Sequence, residues 1–129
     1  MKTYVDHPNG GKRAIEILDE MNNQYRLGNT KARPDAQALS IAMDACAKNA
    51  LTSEAERVLN DVEDSRKTNV MMNTIISGYK SEGRGPEAEA VLRRMIDLSE
   101  QGGWRQCSPD TLTYTLCIEA VSHGVQPVA

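Results

Sequence analysis

The stretch MNTIISGYKSEGRGPEAEAVLRRM, residues 72 to 95, sets the pattern that the rest of the chain repeats or varies. Met72, Ile75, Ile76 and Tyr79 fall at i, i+3, i+4 and i+7, which lines them along one face of a helix. Gly83 and Gly85 interrupt that helix, and Pro86 suits the first turn of the next, where its missing N–H and fixed φ cost nothing. Ala88, Val91, Leu92 and Met95 then repeat the apolar spacing. Two short amphipathic helices joined by a Gly-rich turn predict an antiparallel hairpin. A single hairpin cannot bury both of its apolar stripes, so it needs neighbours of its own kind.

Those neighbours are visible on both sides. Ala14, Ile17, Leu18 and Met21 reproduce the second-helix stripe, with Gly28 placed as a C-cap. After Pro34-Asp35, Leu39, Ala42, Met43 and Cys46 form a first-helix stripe, and Ala55, Val58, Leu59 and Val62 a second. Ser53 to Glu56 has the spacing of a capping box. Beyond Pro109-Asp110, Tyr114, Cys117, Ile118 and Val121 make a third first-helix stripe. Leu39 to Ala55 and Met72 to Ala88 are both 16 residues apart, so the hairpin is constant. The connectors vary: Val62 to Met72 is 10 residues, whereas Met21 to Leu39 is 18 and Met95 to Tyr114 is 19. The additional residues are expected to lengthen the second helices by about two turns and to project from one edge of the stack.

The expected organisation is therefore all-α, with about six helices in a repeat array. Residues 1–11 form an irregular entry, with helix beginning at Lys12 or Arg13. Residues 12–35 hold the second helix of a truncated repeat and a long connector, and 36–68 a complete repeat. Residues 69–110 form another complete repeat with a lengthened connector, and 111–129 the first helix of a further repeat.

Composition narrows the function. The chain has 129 residues, 26% charged and 40% hydrophobic, with no Phe, enough for one domain with a modest core. Cys46, Cys107 and Cys117 lack paired metal or redox spacing, with Cys46 and Cys117 on core stripes and Cys107 in a polar connector. His7 and His123 have no ligand-spaced partners. No nucleophile stands with a base, and no Gly-rich phosphate loop follows a strand, so neither an enzyme nor a cofactor or metal site is expected. No apolar run reaches the ~18 residues of a membrane span. The start, MKTYVDHPNGGKR, has neither a signal core nor the Arg/Ser-rich character of a transit peptide.

The residues Pro109-Asp110 with Thr113-Tyr114-Thr115-Leu116-Cys117-Ile118, the run 72 to 84 and Glu87 to Met95 resemble the pentatricopeptide repeat, a helical hairpin of about 35 residues. The resemblance covers roughly 12 to 124. Lys67-Thr68 departs from it, standing where Pro-Asp is expected, and Leu39 and Met72 replace the Tyr seen at Tyr114. It implies a right-handed α-solenoid that binds single-stranded RNA, one base per repeat, in RNA processing, stability or translation within a mitochondrion or plastid. First helices would line the RNA face. The base would be read by the residue after the Tyr position together with the Asp of the next Pro-Asp. Carried onto this chain, those residues are Asn73 with Asp110, a pair associated with uracil, and Ser40 with Thr68, which leans toward a purine. Asp35 and Thr115 are half-readers, while Val70, Gln37 and Leu112 hold the position that wedges against a base.

The chemistry fits on its own terms, because an Asn amide offers the donor and acceptor that a uracil edge needs. Local readings compete: Asn73 could hydrogen-bond within its helix, and Asp110 could serve as an N-cap. The net charge of −3 gives no general attraction for phosphate. Charge is sparse on the first helices, whereas Glu54, Glu56, Asp61, Glu63 and Asp64 gather around one second helix. Two complete repeats at ~1–3 kcal/mol per base supply about 2–6 kcal/mol, below the ~8 kcal/mol of micromolar binding. The chain accordingly reads as part of a longer array, with bare ends open to self-association or protein partners. The alternatives are a tetratricopeptide-like peptide scaffold, although the Trp and Leu-Gly-x-x-Tyr features of that family are absent, and a fragment that is not functional alone.

Overall fold

The apolar stripes of the sequence become six helices in the computed structural model, which describes residues 10–123. In chain order they are α1 (Gly10–Arg26), α2 (Ala36–Lys48), α3 (Thr52–Asn60), α4 (Asn69–Ser81), α5 (Gly85–Glu100) and α6 (Thr111–His123). No strand occurs among the described residues. Helices α2 with α3 and α4 with α5 are the two hairpins, and successive hairpins stack so that α2, α4 and α6 lie side by side. The protein is an α-solenoid of antiparallel helix hairpins.

Both hairpin turns have the same geometry for the same reason. Gly83 sits at φ 71°, and at the matching position of the shorter hairpin Ala50 adopts φ 60°, a left-handed conformation that costs a Cβ-bearing residue roughly 1–2 kcal/mol. The backbone bonds also match: Leu51 N–H donates to Cys46 O and Arg84 N–H to Tyr79 O, both at 2.8 Å. Each connector contains a short 3-10 turn, at Thr30–Ala32, Asp64–Arg66 and Arg105–Cys107. Lys67, in place of the expected proline, is buried, and its ammonium donates to Val62 O at 2.6 Å and Asp64 Oδ1 at 2.8 Å.

Every stripe residue of the α4–α5 hairpin is buried, as are Leu39, Ala42, Met43 and Cys46 of α2 and Ala55, Val58 and Leu59 of α3. A buried Leu, Ile or Met contributes about 1.5–3 kcal/mol, so the shared core supplies the stability that neither hairpin has alone. Helix α5 runs 16 residues against 9 for α3, close to the two added turns expected of its longer connector. That connector does not project freely. Trp104 N–H donates to Leu98 O at 2.9 Å and the Trp104 side chain packs against the core, bringing Cys107 fully inside, where its thiol donates to Lys67 O.

Four other expectations are corrected. Helix α1 begins at Gly10, and both Gly10 and Gly11 are buried in it. Gly85 likewise starts α5 as a buried helical residue and breaks nothing. The reason is close approach: a Cβ on Gly11 would lie 3.1 Å from Cys46 Cα, and one on Gly85 only 2.8 Å from Ala120 O. At the intervening junction the glycine is on the other side, where a Cβ on Gly78 would lie 2.4 Å from Thr52 Oγ1. Each second helix thus crosses the next first helix at a point where only small residues fit. The capping box at Ser53 is absent, because α3 starts at Thr52 with Leu51 as an N-cap that offers no side-chain bond. Instead Glu82 Oε2, at the end of α4, accepts from Thr52 N–H at 3.0 Å. Burial pushes the Glu82 carboxyl up, yet its bonds to Thr52 and its pairing with Arg84 outweigh burial and leave it below the usual range. Tyr114, Ile118 and Val121 are 46%, 63% and 55% exposed, and only Cys117 of that stripe is buried, because no following helix covers them among the described residues.

A polar hub ties the hairpins together. The Tyr79 hydroxyl donates to Glu56 of α3, whose other oxygen accepts from Arg94 of α5 at 3.1 Å, and the Arg84 guanidinium lies 4.7 Å above the Tyr79 ring. Burial, reinforced by the bond to Glu56, pushes the Tyr79 phenol up to about 12 from 10.0. The folded state therefore holds this proton more tightly than the unfolded chain, giving a stability that is complete below the unfolded value and lost as pH rises from about 10 to 12. Denaturant unfolding of wild type and Tyr79→Phe across that window should show the wild type falling more steeply; parallel curves would contradict the hub.

Candidate nucleic-acid interface

The three residues carried over from Pro-Asp or its substitute all begin first helices. Asp35 Oδ1 accepts from Ala38 N–H at 2.8 Å, the Thr68 hydroxyl from Met71 N–H at 3.2 Å and Asp110 Oδ1 from Thr113 N–H at 2.9 Å. Each satisfies one of the orphan donors at a helix start.

Asp110 does more than cap. Asn73 of α4 donates from Nδ2 to Asp110 Oδ1 at 3.4 Å, and Asn69 Nδ2 donates to Asp110 Oδ2 at 3.2 Å. The Thr113 backbone N–H, with the Asn73 amide, holds the Asp110 carboxyl below the usual aspartate range. It remains an anion at neutral pH, acceptor-only and occupied on both oxygens.

This pair lies on a groove of about 580 Å³ that crosses the first helices. Helix α2 contributes Asp44, Ala47 and Lys48, α4 contributes Val70, Asn73, Thr74, Ser77, Gly78 and Ser81, and Leu112 and Leu116 of α6 close it beside Asp110. Asn73 is largely buried yet still lines the groove. Val70 and Leu112 stand exposed on the same surface, 62% and 55% accessible. The charges here are mutually paired: Lys48 with Asp44 at 3.2 Å, and Lys80 with Glu119 at 2.9 Å across α4 and α6. Such a surface offers flat apolar contacts and amide hydrogen bonds more than free cations.

The other carried-over positions are arranged differently. Ser40 is half-buried on α2, Gln37 is exposed, and Thr115 donates its hydroxyl back to Thr111 O at 2.8 Å. None of Asp35, Gln37, Ser40, Thr68 and Thr115 lines the groove. Sequence reasoning missed Thr113, whose buried hydroxyl joins Asn73 to Asp110; the Asp-x-x-Thr spacing of a helix start was the available signal.

The cysteines offer no reactive alternative. Burial, with the charge of Glu54, pushes the Cys46 thiol up to about 11, and burial raises Cys107 and Cys117 as well, so all three behave as packed thiols. Among the described residues no group of three or more His, Cys, Asp or Glu side chains could hold a metal ion, and no helix is long and apolar enough to cross a membrane.

Repeated hairpins, a constant internal offset and a groove on the first-helix side define a helical-hairpin repeat protein. The sequence pattern described as PPR repeat matches residues 70–99, the span from the start of α4 through most of α5. The chain is also 37% identical over 59 residues to a pentatricopeptide repeat-containing protein of Arabidopsis thaliana, a match covering 46% of this chain and 7% of that much longer protein. No solved structure matches it. Over these stretches the chain is similar to the pentatricopeptide-repeat family.

Proposed function

We propose that this protein binds single-stranded RNA in a sequence-dependent way as part of a longer repeat array, one base per repeat. The repeat that the chain resembles belongs to a family of RNA-binding helical repeats, and what carries the reading here is the Asn73–Asp110 pair on an open groove between two exposed apolar side chains, Val70 and Leu112. A base entering there meets an amide edge and stacks between the flanking side chains, contacts worth ~1–3 kcal/mol per base. Asn73 with Asp110 reads uracil, and Ser40 with Thr68 reads a purine more weakly. Asp35 and Thr115 act as half-readers completed by adjoining repeats, and Gln37 serves as the wedge of the first full repeat. The reaction is binding, without catalysis, in the service of RNA processing, stability or translation in a mitochondrion or plastid.

Among the described residues, apolar ridges stand exposed at both ends of the stack. On α6, Tyr114, Ile118 and Val121 offer the ridge that Met72, Ile76 and Tyr79 of α4 bury. At the opposite end, α1 and α2 form an apolar cradle of about 210 Å³ containing Ile17 and Ile41, 47% and 56% exposed. Adjoining repeats, or a second copy, cover both. Sedimentation of the 129-residue chain should show concentration-dependent association that Ile118→Lys weakens; a monomer at every concentration would contradict self-association.

For RNA, the contacts available to two repeats give affinities near the millimolar range, accessible to titration by NMR. Short single strands differing only at the base facing Asn73 should bind with uracil preferred roughly tenfold, as ~1.4 kcal/mol gives, and Asn73→Ala should abolish the preference. Equal binding of all four bases by wild type would refute base reading. Binding of extended peptides with no response to RNA would favour a peptide scaffold.

A further inference from the structure

The groove leaves one buried polar side chain whose purpose capping alone does not exhaust. Thr113, in the first turn of α6, has no exposed surface, yet its hydroxyl lies 2.6 Å from Asn73 Oδ1, 40 residues away in the sequence. The same oxygen accepts from Asp110 N–H at 3.0 Å and lies 2.8 Å from Asp110 Oδ1. A threonine hydroxyl has a single proton to donate. The Asp110 carboxylate is already served by Thr113 N–H at 2.9 Å and by the amides of Asn69 and Asn73, so that proton is available to Asn73, the nearer acceptor.

An Asn amide has two orientations, exchanged by a half-turn about its last bond, and they present different edges. With Nδ2 toward Asp110 and Oδ1 toward the Thr113 hydroxyl, every contact is a donor on an acceptor. After a half-turn, the amide oxygen would confront the carboxylate, two acceptors with no proton between them. We propose that Thr113, contributed by the following repeat, is a positioning residue for base reading: its buried hydroxyl, acting with the Asp110 carboxylate, locks the Asn73 amide in one orientation, presenting a fixed donor and acceptor to the groove. The inference rests on the reading of Asn73 and Asp110 as the base-facing pair, and extends it by making specificity in one repeat depend on a side chain of the next.

Locked, Asn73 keeps one Nδ2 proton and one Oδ1 lone pair unused, side by side, which matches the adjacent acceptor and donor of a uracil edge. Without the hydroxyl, Oδ1 has no fixed donor, and the amide samples geometries that suit other bases. Because the hydroxyl is buried, water does not replace it readily. Discrimination should therefore fall more than affinity.

The test compares Thr113→Val, which removes the hydroxyl at nearly constant volume, with Thr113→Ser, which retains it. In the free protein, nitrogen relaxation of the Asn73 side-chain amide should report a rigid group in wild type and Thr113→Ser, and a mobile one in Thr113→Val. In titrations with short single strands, the roughly tenfold uracil preference should survive in Thr113→Ser and vanish in Thr113→Val. An Asn73 amide equally ordered in Thr113→Val would overturn the proposal. Were the valine variant not to fold, wild type alone decides: a slowly exchanging Thr113 hydroxyl proton close to Asn73 supports the lock, and rapid exchange with water overturns it. If wild type shows no base preference, base reading itself fails, while the free-protein measurement still decides whether Thr113 orders the amide.

Discussion

An amphipathic helical hairpin presents two apolar ridges and can bury only part of them against itself, and that shortfall governs this protein. Helix α4 meets α2 and α3 before it, α5 beside it and α6 after it, and every one of its stripe residues is buried. Helix α6 has the same stripe and exposes three of its four members. The difference is not in the helices' apolar residues but in what stands next to them. Stacking also fixes orientation: first helices meet first helices, so residues at equivalent positions of α4 and α6 arrive on one groove. The small-residue crossings at Gly11, Gly78 and Gly85 set how closely successive hairpins approach, and therefore how far apart equivalent positions lie along that groove.

The groove itself depends on caps serving two purposes. Asp110 satisfies the start of α6 and reaches back to Asn73 and Asn69 of the preceding hairpin. Glu82 does the reverse job on the turn side, closing α4 while capping α3 from 30 residues away. In both places one carboxylate joins consecutive hairpins, so the register of the stack and the geometry of the candidate site are set by the same bonds. The sparse, mutually paired charge of the first-helix face fits the proposed recognition of bases more than of backbone phosphate.

Much of this was legible in the sequence because it rests on local periodicity. The i, i+3, i+4, i+7 stripes and the 16-residue offset reveal the hairpins without any tertiary information, whereas Asn73 with Asp110 is what the resemblance to the pentatricopeptide repeat implies. What stayed hidden was set by neighbours distant in sequence. Gly11 and Gly85 look like helix breakers until close approach to Cys46 and Ala120 requires them inside helices. Ser53 to Glu56 has the spacing of a capping box, but the N–H of Thr52 is claimed by Glu82. Cys107 sits among polar residues in the chain and yet is buried, because its connector folds back along α5. Thr113 was passed over since its partner Asn73 lies a whole repeat away.

The central claim is that the stack turns its first-helix side toward unpaired RNA bases. Chemical-shift mapping of the isotope-labelled protein with a short uridine-containing single strand tests it most directly. The account predicts perturbations concentrated at Val70, Asn73, Thr74, Asp110 and Leu112, with α3 and the outer side of α5 unchanged. Perturbations confined to α1, α3 and α5, with the groove residues silent, would contradict it.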